Sequence, residues 1–146
     1  MWLTGSVGPR FQFILARDGR ACGHVDLALR TFEPVDRPTR WMGLLVDSFT
    51  DLAVDKTQAL LTRGRDRDFV DFHFLLAEGP VRDVDRLLAL VRAKFDAGGS
   101  RYTLAERLAA VEQVQELPEM LRPLTLWELR ESLISTAREI LRGPPG

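Results

Sequence analysis

Three side chains in the middle of the chain have types and spacing that could handle a charged ligand: Lys56, Asp68 and Asp71. Phe49, Leu52, Ala53, Lys56, Ala59 and Leu60 recur at three- and four-residue steps, which places Lys56 on the apolar stripe of a helix. An ammonium there loses hydration and needs an acidic partner or an anionic ligand in return. Asp68 and Asp71 lie three residues apart near the start of the next helical stretch, on one side of it, where the helix dipole favours carboxylates. Two chemistries fit. In one, the lysine holds an anion such as a phosphate beside the acids. In the other, Asp68 or Asp66 caps its helix and Asp71 pairs with Lys56 or Arg63 across the corner between helices. Spacing alone favours the second, because acids in a first helical turn are ordinary.

The elements that must position these residues change character along the chain. Phe11, Phe13 and Leu15 alternate with Gln12, Ile14 and Ala16 up to Asp18-Gly19, a hairpin turn signal, and a return strand runs from Cys22 to Leu29. A third short strand is expected around Met42 to Val46, after a loop from Phe32 to Arg40 that carries Pro34 and Pro38. From Ser48, an N-cap with Asp51 in the first turn, the period becomes helical and holds to Arg63-Gly64. Further helices are predicted at about Arg67 to Leu76, closed by Glu78-Gly79-Pro80, and at Asp83 to Phe95. Two more run from a capping box at Thr103-Leu104-Ala105-Glu106 to about Glu116, and from Thr125-Leu126-Trp127-Glu128 to about Leu141. The expected class is α+β in a single domain: a small N-terminal antiparallel sheet of two or three strands over residues 1–46, a bundle of about five helices over 47–142, and a tail at 143–146.

Composition bounds the rest. With 146 residues, 45% hydrophobic and 28% charged, the chain can bury one core. Its net charge of -1 excludes a global basic field for nucleic acid or anionic lipid. Of 20 basic residues only Lys56 and Lys94 are lysines, a skew read as base composition of the genome. The single cysteine, Cys22, excludes an internal disulfide and is expected to be a small buried hydrophobe. His24 and His73 lack the neighbours of a zinc site. Trp2, Trp41 and Trp127 are too dispersed for a stacking platform and are expected to anchor a core or an interface. No apolar run has the length of a membrane span, and a cytoplasmic protein is expected.

The run from Val46 to Leu76 combines a mid-helix lysine, Arg63-Gly64 at the helix end, and Arg67-Asp68-Phe69-Val70-Asp71-Phe72. As a set it closely resembles the C-terminal half of the AbiEii/AbiGii-type nucleotidyltransferase toxins, of the polymerase-β-like superfamily. The likeness continues in the Asp83 to Leu90 helix, in Tyr102-Thr103-Leu104-Ala105 and in Met120-Leu121-Arg122-Pro123-Leu124. The resemblance implies a toxin that transfers nucleotides to an RNA acceptor, with nucleoside triphosphate and Mg²⁺ as cofactors, opposed by a separately encoded antitoxin. Such chemistry uses two metal ions held by three carboxylates on adjacent strands. Carried onto this sequence, the resemblance makes Asp26, Lys56, Asp68 and Asp71 the catalytic set and Asp26 the metal ligand. Lys56, Arg63 and Arg67 become the nucleotide-facing cations. The other reading of Asp26, in His24-Val25-Asp26-Leu27-Ala28, is a polar residue on the solvated face of a hairpin.

The pattern also departs from the family. Gly5-Ser6 is present, but the acid at a suitable distance is the lone Asp18 of the hairpin turn, and no Asp-x-Asp pair stands at that distance. The expectation is therefore a truncated transferase or one completed by another chain, inactive when isolated. A complementary chain or a second copy would dock on the exposed sheet edge. The alternative is a non-catalytic helical interaction module, in which the lysine and the aspartates only lock two helices together.

Overall fold

A computed structural model describes residues 10–29, 31–79, 81–96 and 98–143. Trp2, Gly5, Ser6, Pro80 and residues 144–146 lie outside the described residues. The chain divides into two compact units, Met1–Glu33 and Pro34–Gly146. The class is α+β, with two small antiparallel sheets followed by five helices.

In the first unit, β1 (Arg10–Arg17) and β2 (Arg20–Ala28) form one antiparallel hairpin. Asp18 and Gly19 turn it with φ of 51° and 72°, the paired positive values that match strand twist and that Asp-Gly tolerates. Phe11 lies opposite Leu27 and Phe13 opposite Val25, so one face is wholly apolar. Gln12 opposite Asp26 and Ile14 opposite His24 make the other face. Phe11, Phe13, Leu15, Val25 and Leu27 are all exposed. The register slips between Leu15 and Ala16, where the longer stretch of β2 accommodates Cys22. Cys22 is thus not a buried hydrophobe: it is exposed at an irregularity of the ladder, its thiol 3.4 Å from the Leu15 carbonyl.

The second unit opens on a hairpin of its own, β3 (Thr39–Trp41) and β4 (Leu44–Val46), turned at Met42-Gly43 with φ of 48° and 82°. The expected third strand therefore adds nothing to the first sheet, and the Phe32 to Arg40 loop ends in a strand. The cause is the turn: Gly43 permits the positive φ that lets Arg40 and Trp41 fold back onto Leu45 and Leu44. Trp41, like Trp127, is exposed rather than anchored in a core.

Helices α1 (Phe49–Thr62), α2 (Asp66–Glu78), α3 (Val84–Phe95), α4 (Arg101–Ala109) and α5 (Leu126–Arg142) build the body. Ser48, Asp83, Ser100 and Thr125 cap α1, α3, α4 and α5, each side chain accepting from a first-turn amide. The capping box of α4 lies one turn earlier than expected, Ser100 with Thr103, because Thr103 serves as the reciprocating side chain rather than the cap. That helix also stops short of Glu116, tightening into a 3-10 turn over Ala110–Gln113. Val54, Leu60, Phe72, Leu87, Val91, Leu104, Leu108, Leu129 and Leu133 form the centre of one apolar core. Among the described residues no helix is long and apolar enough to cross a membrane.

Helix α1 buries Ala53, Ala59 and Leu60 as the periodicity suggests, but its inward side is rotated away from Phe49 and Leu52. Asp51, Ala53, Val54, Thr57, Gln58, Ala59 and Leu60 are buried, while Phe49 and Leu52 are exposed. The rotation follows from Asp51 and Thr57, two polar residues that find partners inside: the Thr57 hydroxyl donates to the Ala53 carbonyl at 2.8 Å. Lys56 consequently stands at the edge of the core, with its side chain 31% exposed.

Candidate functional site

The corner between α1 and α2 gathers most of the residues singled out by the sequence. Gly64, with φ of 55°, ends α1 and lets the chain reverse within three residues, so the last turn of α1 and the first of α2 lie side by side. Arg63 reaches across the turn to Asp68 with two bonds, Nε to Oδ2 at 2.8 Å and Nη2 to Oδ1 at 2.6 Å. The Arg65 amide donates to the same carboxylate at 2.9 Å. Asp68 is fully buried, and burial pushes its carboxyl up. The bonds from Arg63 and the Arg65 amide, with the charges of Arg63 and Arg67, outweigh that and hold it below the usual carboxylate range.

One turn further along α2, Asp71 accepts from Lys56 Nζ at 2.6 Å. Both side chains are about one-third exposed, at 31% and 35%, so this pair is open to solvent where the Arg63–Asp68 pair is closed. Arg67 is exposed on the first turn of α2. Arg107, from α4, donates to the Leu61 carbonyl at 3.2 Å and so covers the end of α1. The corner thus contains one sealed ion pair, one solvent-facing ion pair and an exposed guanidinium, an arrangement able to meet an anion by exchange at Lys56.

Asp26 belongs to the first unit, and Lys56, Arg63, Arg67, Asp68 and Asp71 to the second. Within its hairpin, Asp26 Oδ1 accepts from Gln12 Nε2 at 3.0 Å across the strands. Among the described residues no three of His, Cys, Asp and Glu are gathered closely enough to hold a metal ion. Among the described residues of either unit taken by itself, the carboxylates do not assemble the acids of a two-metal centre.

Sequence reasoning missed a third charged cluster. Lys94 on α3, with a side chain only 1% exposed, donates to Asp51 at 2.9 Å and to Asp55 at 2.5 Å. Burial pushes the Asp51 carboxyl up. The hydrogen bond and charge of Lys94, with bonds from the Val35 and Asp36 amides, bring it down to about 2. Two signals were available: Asp51 and Asp55 stand four apart on α1, and Lys94 is the other of the two lysines. Elsewhere, His73 Nδ1 lies 3.0 Å from the Ser132 hydroxyl, tying α2 to α5, and burial lowers its pKa against the opposing pull of Glu128 and Glu78.

Over residues 25–140 the chain matches the family described as nucleotidyl transferase AbiEii toxin of type IV toxin–antitoxin systems. The match spans most of the chain, which belongs to this family of toxin–antitoxin nucleotidyltransferases. No curated protein and no solved structure matches it.

Proposed function

We propose that the second unit provides the phosphate-facing half of a nucleotidyltransferase site. Lys56 binds the triphosphate of a nucleotide there, assisted by Arg67, while the Arg63–Asp68 pair holds the corner rigid. The observation that carries this reading is the Lys56–Asp71 pair, a solvent-facing ammonium held in place beside a sealed ion pair. An arriving phosphate can take over the ammonium from Asp71, and the released carboxylate can then turn towards the acceptor hydroxyl. Transfer to an RNA acceptor needs metal-holding acids, and the described residues do not assemble them. A complementary polypeptide or a second copy completes the site, and the isolated chain binds nucleotide without transferring it. The wholly apolar and exposed face of the β1–β2 hairpin supports such completion, since a two-stranded sheet is marginal alone.

A helical interaction module is the second reading. It is favoured by one specific observation: Asp68 and Asp71 each already have an internal cation, as a purely structural corner requires. Calorimetric titration with ATP, GTP, CTP and UTP, with and without Mg²⁺, separates the two. Saturable binding that Lys56→Ala removes supports the nucleotide site. Absence of binding for all four nucleotides supports the module. Nucleotide incorporation into RNA by the isolated chain would refute the requirement for completion.

A further inference from the structure

The Asp51 carboxylate stands where the two ends of one excursion of the chain meet. The Val35 amide donates to Oδ1 and the Asp36 amide to Oδ2, each at 2.9 Å, as the excursion begins. Where it ends, the Ser48 hydroxyl donates to Oδ2 at 3.1 Å and accepts from the Asp51 amide at 3.0 Å. From the opposite side, Lys94 Nζ donates to Oδ1. Between these anchors the chain runs out through β3 and β4, every residue of which is exposed, and returns. Val35 is the residue of the excursion that packs against the helical core. Trp41, Met42, Leu44 and Leu45 are carried at its outer end, exposed. A hairpin of two three-residue strands has too little ladder to hold itself, so its order must come from the base.

We propose that Asp51 is the fastener of residues 35–48: one buried carboxylate, balanced by Lys94, closes the excursion at both ends and mounts the β3–β4 hairpin on α1. Because both ends of the excursion bond to this one side chain, the excursion opens as a unit while the five helices stay folded. Asp51 is then a positioning residue. It sets the place of the apolar hairpin relative to Lys56, about one and a half turns along the same helix, and it does so without touching a ligand. This inference concerns only the second unit and is independent of whether Lys56 binds a nucleotide.

The test uses the full chain. Hydrogen exchange followed by mass spectrometry reads the excursion amides directly, and trypsin reads the Arg40–Trp41 bond, the Arg37–Pro38 bond being resistant. In Asp51→Asn, which keeps the shape and loses the charge, exchange over 35–46 and cleavage after Arg40 should rise about ten- to a hundredfold, with helical circular dichroism unchanged. Lys94→Met should move the same observables in the same direction. Should either variant fail to fold, the wild-type chain in sub-denaturing urea decides the matter. Exchange over 35–46 that precedes exchange of α1 to α5 upholds the fastener. Opening of the excursion only together with the helices overturns it, as does unchanged cleavage in a folded Asp51→Asn.

Discussion

Replacing Arg63 by methionine takes from the fully buried Asp68 its hydrogen-bonded counter-charge and leaves it only the charge of Arg67. The carboxylate has 0% exposure and accepts three hydrogen bonds, two from Arg63 and one from the Arg65 amide. Methionine keeps the apolar stem that packs along the corner and removes the charge and two of the three bonds. Breaking a buried pair from one side costs about 3–5 kcal/mol, because the remaining charge is uncompensated. Arg63 itself is 16% exposed, so water can partly enter the vacated position, and the lower end, about 3 kcal/mol, is expected. Against a total stability of about 5–15 kcal/mol that loss is large. Urea unfolding followed by circular dichroism measures it for the wild type, Arg63→Met, Asp68→Asn and the double variant. The double variant should be more stable than the sum of the single losses implies, by about 1–3 kcal/mol, since it no longer buries a lone charge. A loss below about 0.5 kcal/mol in Arg63→Met would refute the assignment of this pair as the seal of the corner.

Lys56→Ala should behave differently from Arg63→Met: its half-open pair with Asp71 contributes at most about 1 kcal/mol, so the same urea curve should barely move. Asp51 has a folded pKa lowered from 3.8 to about 2, so its contribution to stability is complete above about pH 4 and is lost as pH falls towards 2. The shift is worth about 2 kcal/mol; it is measured as the difference in acid-induced loss of stability between the wild type and Asp51→Asn. Phe72 is fully buried at the centre of the core, and Phe72→Ala should cost about 3–5 kcal/mol in the same assay. Gly64→Ala should be destabilising by about 1 kcal/mol or more, since φ is 55° and the added Cβ would meet the Arg107 side chain at 3.0 Å; thermal unfolding checks it.

Three of the five helices have starts that were legible because they carry their own boundary signal. Ser48, Asp83 and Thr125 announce the starts of α1, α3 and α5, and Asp18-Gly19 announces the first hairpin. The β3–β4 hairpin escaped notice because Met42 is an unusual residue for a positive φ, so Gly43 was its sole turn signal. Part of the inward face of α1, Ala53, Ala59 and Leu60, follows the periodicity; the rest does not, because hydrophobic periodicity cannot anticipate that Asp51 and Thr57 are inside and satisfied while Phe49 and Leu52 are outside. The Lys56–Asp71 pair at the α1–α2 corner is one that spacing offers, whereas the pairing of Arg63 with Asp68 is not, since an acid in a first helical turn reads as a cap. Which of those pairs is sealed and which is open could not be read from spacing, because that depends on how α2 sits on α1. The Asp51–Lys94 contact joins residues 43 apart in sequence: the four-residue spacing of Asp51 and Asp55 marks an acidic pair but does not say which cation meets it.

The most direct measurement is calorimetry of the isolated full chain with a nucleoside triphosphate and, in parallel, with the corresponding nucleoside, each repeated on Lys56→Ala. Binding of the triphosphate to the wild type, weaker or absent for the nucleoside and lost in a Lys56→Ala protein of unchanged stability, is the expected result. Equal binding of triphosphate to the wild type and to Lys56→Ala, or no binding to either, would contradict the assignment of Lys56 as the phosphate-facing residue.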